Sequence, residues 1–133
     1  MVLPIAEQTN PRPRVLVVDD DPLVLTAVRR VLSQLDVDVT VHDRAFGLLN
    51  RIDELRPAVV LLDVRMPGLD GASLTSLIRE DPSLATTRIV LYSGLDEATL
   101  ASKARLCGAD GYLLKARRPD ELLGAVRRWV AAA

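Results

Sequence analysis

The sequence predicts an α/β fold in which one parallel sheet lies between two layers of helices. Short apolar runs alternate with helical patterns five times along the 133 residues, as in the strand–helix units that build a parallel sheet. Four of the five runs are continuously apolar, which is typical of strands covered by helices on both faces. The length suits a single domain with an ordinary hydrophobic core.

The predicted strands are five short segments. They cover residues 14–18, 38–42, 58–62, 88–92 and 111–114. The second segment differs from the others because Val39 and Val41 alternate with the polar residues Thr40 and His42. Such alternation indicates one exposed face, so we expect this segment to form an edge strand.

Helical patterns fill the segments between the strands. The first begins with Asp21 and Pro22, an N-cap carboxylate followed by proline at the first helical position, and apolar residues then recur at helical spacing over 24–35. Asp70, directly before Gly71, is interpreted as a second N-cap. The other patterns cover residues 44–55, 71–79, 96–105 and 119–130. Residues 1–13 are predicted to form an irregular N-terminal tail because prolines interrupt a polar stretch.

The composition excludes several classes of protein. The 17 basic and 18 acidic residues leave a formal charge of -1, which provides no overall attraction to nucleic acid or to an anionic membrane. The single cysteine, Cys107, excludes an internal disulfide and a metal cage built from cysteines alone. No apolar stretch approaches the ~20 residues of a membrane span, and no signal-peptide pattern opens the chain. We therefore expect a cytoplasmic protein.

Carboxylates follow two of the predicted strands where each should end. Asp19 and Asp20 close the first apolar run, and Asp63 closes the third. In open α/β sheets, ligands bind outside the carboxyl ends of the strands at the point where strand order reverses. For a flavodoxin-like three-layer sandwich with order 2-1-3-4-5, that point lies between the first and third strands. The three carboxylates would form an all-oxygen site suited to a hard divalent cation.

The same edge of the sheet should carry a hydroxyl and an ammonium group. Ser93 ends the fourth apolar run, and Lys115 ends the fifth. Aspartates at strand ends often only cap helices, but capping alone does not account for Ser93 and Lys115 at the same edge. We therefore interpret Asp19, Asp20, Asp63, Ser93 and Lys115 as one site.

Four motifs stand at these strand ends in a fixed order. They are Val-Val-Asp-Asp-Asp-Pro at 17–22, Leu-Leu-Asp-Val-Arg-Met-Pro-Gly-Leu-Asp-Gly at 61–71, Val-Leu-Tyr-Ser-Gly at 90–94 and Gly-Ala-Asp-Gly-Tyr-Leu-Leu-Lys at 108–115. With these motifs the chain resembles the receiver domain of two-component response regulators, and the predicted domain covers residues 14–131. The end of the last motif, which lacks a proline after the lysine, is similar to receivers of the nitrate-response subfamily.

The resemblance implies the chemistry of the acidic site. Asp63 is the expected phosphoacceptor, which takes a phosphoryl group from a phosphohistidine. Mg²⁺ is the expected cofactor, held by Asp20, Asp63 and the backbone carbonyl of Arg65, with Asp19 acting largely through water. Neighbouring carboxylates repel an anionic phosphoryl group, and the cation would cancel that repulsion.

The resemblance also implies roles for three residues of the later strands. Lys115 would supply positive charge to the phosphoryl oxygens, and Ser93 would donate a hydrogen bond to them. Tyr112 would turn inward when Ser93 moves toward the phosphoryl group, so that Ser93 and Tyr112 together form the switch. Positioning and charge neutralisation are most of what phosphoryl transfer requires of a protein.

The implied function is a signalling switch and not an enzyme that turns over an external substrate. The expected donor is a sensor histidine kinase or a phosphotransfer protein. The expected output is a downstream effector or a homodimer, contacted through the face of the fourth helix, fifth strand and fifth helix. We expect no direct nucleic acid binding by this domain and no membrane contact. The sequence leaves open whether the regulator stands alone or belongs to a longer protein.

Three other functions are alternatives to a receiver domain. A pseudo-receiver, which binds partners without phosphorylation, would be expected to lack part of the acidic pocket or the lysine. A Mg²⁺-dependent phosphohydrolase of the haloacid dehalogenase type carries its nucleophile after the first strand and has a cap domain. A flavodoxin has a phosphate loop rich in Ser, Thr and Gly after the first strand, and this chain has none.

One position departs from the receiver pattern. Most receivers follow the lysine with a proline in cis, whereas Ala116 follows Lys115 here. A cis bond before a residue other than proline costs ~2.5–4 kcal/mol. We therefore predict a trans Lys115–Ala116 peptide, with Lys115 still reaching the acidic pocket because its stem is long.

Overall fold

The computed structural model describes residues 12–132. The strands are β1 Arg14–Val18, β2 Asp38–His42, β3 Val59–Leu62, β4 Arg65–Met66, β5 Leu69–Asp70, β6 Arg88–Ser93 and β7 Gly111–Leu114. The α-helices are α1 Pro22–Leu32, α2 Leu48–Leu55, α3 Gly71–Arg79, α4 Glu97–Cys107 and α5 Pro119–Ala132, and a 3-10 helix covers Pro82–Leu84.

Five parallel strands form the central sheet in the order β2-β1-β3-β6-β7. Counted along the chain without the short strands β4 and β5, this is the predicted order 2-1-3-4-5, and the flavodoxin-like fold is confirmed. The prediction that β2 lies at an edge is also correct. β7 forms the other edge, which explains why it is only half-buried although its sequence is continuously apolar.

Two apolar cores lie on opposite faces of the sheet. Successive strand residues point to opposite faces, so Leu16 and Leu62 pack into one core while Val17 and Leu61 pack into the other. All four side chains are fully buried. Complete burial of such a side chain stabilises a fold by about 1.5–3 kcal/mol, so these cores hold the strand ends in register.

Several helix and strand bounds differ from the prediction. α2 begins at Leu48 and not at 44, because Gly47 before it adopts a left-handed conformation with φ of 78°. α4 begins one residue later than predicted because Asp96 is its N-cap, and it ends at Cys107 where Gly108 has φ of 83°. β3 begins one residue later than predicted, and β6 and α5 extend further.

The hairpin of β4 and β5 was not predicted. Its two strands have two residues each, so they lack the run length by which a strand is recognised in a sequence. Asp21 and Asp70 cap α1 and α3 as predicted, each accepting a hydrogen bond from a backbone N–H of the first turn.

The described part of the N-terminal segment is attached to the sheet. Residues 1–11 of the predicted tail lie outside the described residues. Arg12 Nε lies 2.7 Å from Asp36 Oδ1, and the N–H of Asp38 donates to the Pro13 carbonyl at 2.9 Å. Residues 12–13 are therefore irregular in conformation but fixed in place. Within residues 12–132, none of the helices combines the length and apolar character that a membrane crossing requires.

Gly71 holds the start of α3 against the end of β3. Its N–H donates to the Val64 carbonyl at 2.9 Å. A Cβ atom at this position would lie 2.6 Å from the carbonyl oxygen of Asp63 and 3.0 Å from Cα of Val64. Both atoms belong to the backbone, so they cannot move aside as a flexible side chain could.

We predict that Gly71→Ala destabilises the protein by about 1–3 kcal/mol, the usual cost of overpacking, measured as a lower midpoint of thermal unfolding. Gly124→Ala is the matched control. It lies inside α5, where a Cβ atom meets only the end of the Arg128 side chain at 3.6 Å, so alanine should stabilise the helix by about 0.5–1 kcal/mol. Equal unfolding midpoints for the two variants would contradict the prediction.

Candidate functional site

The ends of the parallel strands bring the predicted site residues to one edge of the sheet. Asp19 follows β1, Asp63 follows β3, Ser93 ends β6 and Lys115 follows β7. Backbone hydrogen bonds fix their register: the N–H of Asp63 donates to the Val18 carbonyl at 3.0 Å, and the N–H of Lys115 donates to the Ser93 carbonyl at 2.9 Å.

Three carboxylates form a cluster at this edge. Asp19 is fully buried, Asp63 is 6% exposed and Asp20 is exposed. One carboxylate oxygen from each lies within 4.8 Å of the other two. Two oxygens on opposite sides of a Mg²⁺ ion are separated by about 4.1 Å, because Mg–O bonds measure 2.0–2.1 Å. The spacing and the all-oxygen chemistry therefore fit a magnesium ion.

The buried carboxylates retain oxygen atoms that can act as ligands. Asp19 Oδ1 accepts a hydrogen bond from the N–H of Asp21 at 2.9 Å, and Asp63 Oδ1 accepts one from the N–H of Arg65 at 3.3 Å. Asp19 Oδ2 is buried. Its close neighbour is the ammonium group of Lys115. A carboxylate oxygen has two lone pairs, so beside the ammonium it can still accept a hydrogen bond from a water bound to a cation.

Lys115 is the positive charge of the cluster. Its Nζ lies 2.5 Å from Asp19 Oδ2 and 3.4 Å from Asp63 Oδ2, and 5.8 Å from the centre of the Tyr92 ring. Burial lowers the pKa of Lys115, but the hydrogen bond to Asp19 and the charge of Asp63 outweigh that effect and raise it overall. The lysine therefore stays charged at neutral pH.

The predicted trans peptide bond after Lys115 is confirmed. No peptide bond among residues 12–132 is cis, so Lys115–Ala116 is trans. The ammonium group nevertheless reaches both buried carboxylates. The lysine stem therefore spans the distance without the proline that most receivers have.

Asp63 is in an environment that disfavours its charge. Burial is the main cause that raises the pKa of Asp63, and the charge of Asp19 raises it further. The charge of Lys115 and the Arg65 N–H act in the opposite direction without cancelling the effect. The folded protein therefore holds a carboxylate whose negative charge is only partly compensated by its own side chains.

Ser93 ends β6, and Tyr112 lies on β7, the edge strand that pairs with β6. Ser93 is buried, and its hydroxyl accepts a hydrogen bond from the N–H of Leu95 at 3.2 Å. Tyr112 is half-buried, and its hydroxyl donates to Glu97 Oε1 at the surface, at 3.2 Å. This hydrogen bond raises the pKa of Tyr112. Ser93 belongs to the same strand ends as the acidic cluster, whereas the Tyr112 hydroxyl points toward α4.

Three residues near the site were not anticipated from the sequence, one beside Lys115 and two beside Tyr112. Tyr92 contributes the ring beside Lys115. Glu97 accepts the hydrogen bond from the Tyr112 hydroxyl and is itself paired with Arg117. Tyr92 could have been anticipated, because it is an aromatic residue directly before the predicted site residue Ser93. Glu97 and Arg117 carried no signal, because a surface acid and a surface base 20 residues apart are common in any sequence.

Comparison with known proteins agrees with this geometry. A family model described as the response regulator receiver domain matches residues 15–127, and the chain belongs to this family. The family consists of signalling domains that act with sensor kinases and downstream effectors. The resemblance to receivers of the nitrate-response subfamily is also supported, since proteins named NarL are among the relatives.

The chain is similar to both short and long regulators. Protein PilG of Pseudomonas aeruginosa is 30% identical over 124 residues, covering 93% of this chain and 92% of PilG. The probable transcriptional regulatory protein NarL of Mycobacterium tuberculosis is 40% identical over 124 residues, covering 89% of this chain and 56% of NarL. Unlike PilG, NarL and other curated relatives that the chain matches are longer, and the chain spans about half of their length.

Solved structures of receiver domains are also similar. The BeF3-activated N-terminal receiver domain of Klebsiella pneumoniae RstA is 32% identical with a TM-score of 0.80, covering 88% of this chain and 97% of that chain.

We predict that Asp63→Asn stabilises the metal-free protein near neutral pH. A carboxyl group whose folded pKa is raised adds stability only below its ordinary pKa, and that contribution is lost as the pH rises through the folded value. At about pH 7 the charged Asp63 therefore costs stability, and asparagine removes that cost. The gain in the unfolding midpoint, measured in a chelator, should shrink as the pH falls from about 7 to about 4.

Asp96→Asn is the control for this prediction. Hydrogen bonds from Thr99 lower the pKa of Asp96, so its charge favours the folded state above its ordinary pKa. The Asp96 variant should gain no stability at neutral pH. A gain for Asp63→Asn that is the same at every pH would show that desolvated charge is not its cause.

Proposed function

We propose that this chain accepts a phosphoryl group on Asp63 from the phosphohistidine of a sensor histidine kinase or a phosphotransfer protein. The main support is the position of the Lys115 ammonium, which contacts both buried carboxylates while the third, Asp20, remains exposed. Phosphoryl transfer depends chiefly on positioning and charge neutralisation, and this arrangement favours both. A pseudo-receiver has no need of such a complete site.

The proposed reaction is a direct transfer between two nucleophiles. A carboxylate oxygen of Asp63 forms a bond to phosphorus as the bond between phosphorus and the imidazole nitrogen of the donor breaks. The electron pair of the broken bond remains on the imidazole, and the product is an aspartyl phosphate. Asp63 enters this reaction as a carboxylate, and its incompletely compensated charge makes it a better nucleophile than a strongly paired one.

Asp20 and Asp63 would hold a Mg²⁺ ion together with the backbone carbonyl of Arg65, and Asp19 would act through a bound water. When bound, the ion supplies positive charge that offsets the repulsion between the carboxylates and the phosphoryl oxygens. The exposed Asp20 leaves the site open to solvent, so the ion can enter and exchange. Arg65 is fixed next to the site by its N–H contact with Asp63.

Lys115 and Ser93 would contact the phosphoryl group after transfer. The ammonium already lies 3.4 Å from Asp63 Oδ2, the side of the carboxylate opposite the Arg65 N–H. Ser93 would turn its hydroxyl from the Leu95 N–H toward a phosphoryl oxygen, to which it can donate. That rearrangement would let Tyr112 move inward, and the two residues would act as the switch.

The output surface proposed here is the face of α4, β7 and α5. Tyr112 lies on this face in β7, so its movement would change the surface that a partner contacts. The partner is a downstream effector or a second copy of the chain, and the location is the cytoplasm. The domain itself would signal through protein contacts and without turning over an external substrate.

We predict that a small-molecule phosphodonor with Mg²⁺ adds one phosphoryl group to the wild-type chain and none to Asp63→Asn, measured as intact mass. Asp70→Asn is the control, because Asp70 caps α3 outside the acidic cluster and should leave labelling intact. Equal labelling of wild type and Asp63→Asn would remove Asp63 from its role.

We predict that Mg²⁺ raises the unfolding midpoint of the wild-type chain and not that of Asp20→Ala. An ion that binds only the folded state stabilises it by mass action, and Asp20 would supply one of its ligands. Asp21→Ala provides a control of equal charge change, since Asp21 caps α1 and is not a ligand. A Mg²⁺-induced shift that persists in Asp20→Ala would contradict the proposed ligand set.

A further inference from the structure

The Tyr112 hydroxyl is held at the surface by a charged partner. Glu97 is the first residue of α4, and its Oε1 accepts the hydrogen bond from the Tyr112 hydroxyl at 3.2 Å. A hydrogen bond to a charged group is stronger than one between neutral groups. Tyr112 is therefore tied to the N-terminal turn of α4, away from the acidic cluster.

Glu97 is in turn held by Arg117, which comes from the loop after β7. Arg117 Nη2 lies 3.4 Å from Glu97 Oε2, the carboxylate oxygen that does not accept from Tyr112. Arg117 Nε also lies 3.6 Å from Glu121 Oε2, so the guanidinium is supported from α5. The hydroxyl, carboxylate and guanidinium form a chain that links β7, α4 and α5.

The turn that follows Lys115 places Arg117 in this chain of contacts. Without proline after Lys115, the backbone closes a turn in which the N–H of Arg117 donates to the Leu114 carbonyl at 3.1 Å. This turn brings the residue back beside the end of β7, where it reaches Glu97. The same local sequence therefore delivers Lys115 to the acidic cluster and Arg117 to the Tyr112 latch, by which we mean Tyr112, Glu97 and Arg117.

We propose that Glu97, held by Arg117, is a positioning residue that keeps Tyr112 outward and so sets the balance between the resting and activated states. The inference rests on the proposed switch function and adds residues that control it. Inward movement of Tyr112 requires the bond to Glu97 to break. The latch therefore lowers the fraction of molecules that are ready to bind a phosphoryl group, and that fraction scales the apparent affinity.

The test is the affinity for beryllofluoride, a phosphoryl mimic, in the presence of Mg²⁺. Glu97→Ala should lower the apparent dissociation constant by about three- to tenfold, the equivalent of one surface hydrogen bond. Arg117→Ala should lower it by a smaller factor, because the Tyr112 bond remains. Arg118→Ala is the matched control, since Arg118 pairs with Asp120 outside the latch and should leave the constant unchanged.

A double-mutant cycle separates the latch from a general effect on α4. In the Tyr112→Phe background the hydroxyl is absent, so Glu97→Ala should change the dissociation constant by less than about twofold. The chain has only two tyrosines and one tryptophan, so resonances of the Tyr112 ring give an independent reading of its position. The ring should shift toward its beryllofluoride-bound resonance in Glu97→Ala without any mimic added.

The outcomes that overturn the inference are distinct from those that overturn the proposed function. Beryllofluoride binding that depends on Asp63 but is equal in wild type and Glu97→Ala would overturn the latch alone. The latch would also be overturned if Glu97→Ala lowered the dissociation constant for beryllofluoride by the same factor in the Tyr112→Phe background. Wild-type protein that fails to bind beryllofluoride, or binds it equally in Asp63→Asn, would overturn the proposed function and the latch with it.

Discussion

The contact between the Lys115 ammonium and the buried carboxylates of Asp19 and Asp63 is the interaction on which the rest of the site depends. Parallel strands all end at the same edge, so the fold forces these groups together whether or not their charges agree. Two buried carboxylates side by side lose hydration and repel each other, and the lysine offsets only part of that combined cost. Burial, with a smaller contribution from the charge of Asp19, raises the pKa of Asp63 more than Lys115 lowers it, and this leaves an edge that favours further positive charge. A magnesium ion would supply that positive charge and would also offset the negative charge of an incoming phosphoryl group.

Burial of apolar side chains in the two cores offsets this electrostatic cost to the stability of the fold. Residues such as Leu16 and Leu61, fully buried on opposite faces of the sheet, hold β1 and β3 in register up to the residue before each aspartate. Gly71 adds a close backbone contact behind Asp63, so the acidic loop cannot relax away from the cluster. The site is therefore rigid on the β1 and β3 side. The β7 side is different, because this edge strand is only half-buried; the Tyr112 ring packs against the edge of the core, but its hydroxyl is held by a surface polar contact.

The fold and the acidic site were predictable because both follow from local patterns. Apolar run length identifies the strands, N-cap aspartates identify α1 and α3, and the carboxyl-end rule converts strand ends into a site. Even the trans bond before Ala116 followed from residue type alone. The hairpin of β4 and β5 and the left-handed Gly47 were missed because each depends on one or two residues. Glu97 and Arg117 could not be predicted because their pairing depends on how a loop turn and a helix start meet in three dimensions.

The two sides of the sheet edge suggest how a charge event at Asp63 could reach the surface. The backbone N–H of Lys115 donates to the Ser93 carbonyl, so β6 and β7 end as one unit. Lys115, whose ammonium contacts Asp63, is three residues from Tyr112. A phosphoryl group would attract the ammonium and the Ser93 hydroxyl from one side of this unit, while Glu97 holds Tyr112 from the other. Two sets of polar contacts that compete for one pair of strands would give a two-state element, which is the physical requirement for coupling between a site and a distant surface. Because the outward contacts of Tyr112 and Glu97 are exposed to solvent, each is weak, and a modest gain of charge at Asp63 would be sufficient to reverse the balance.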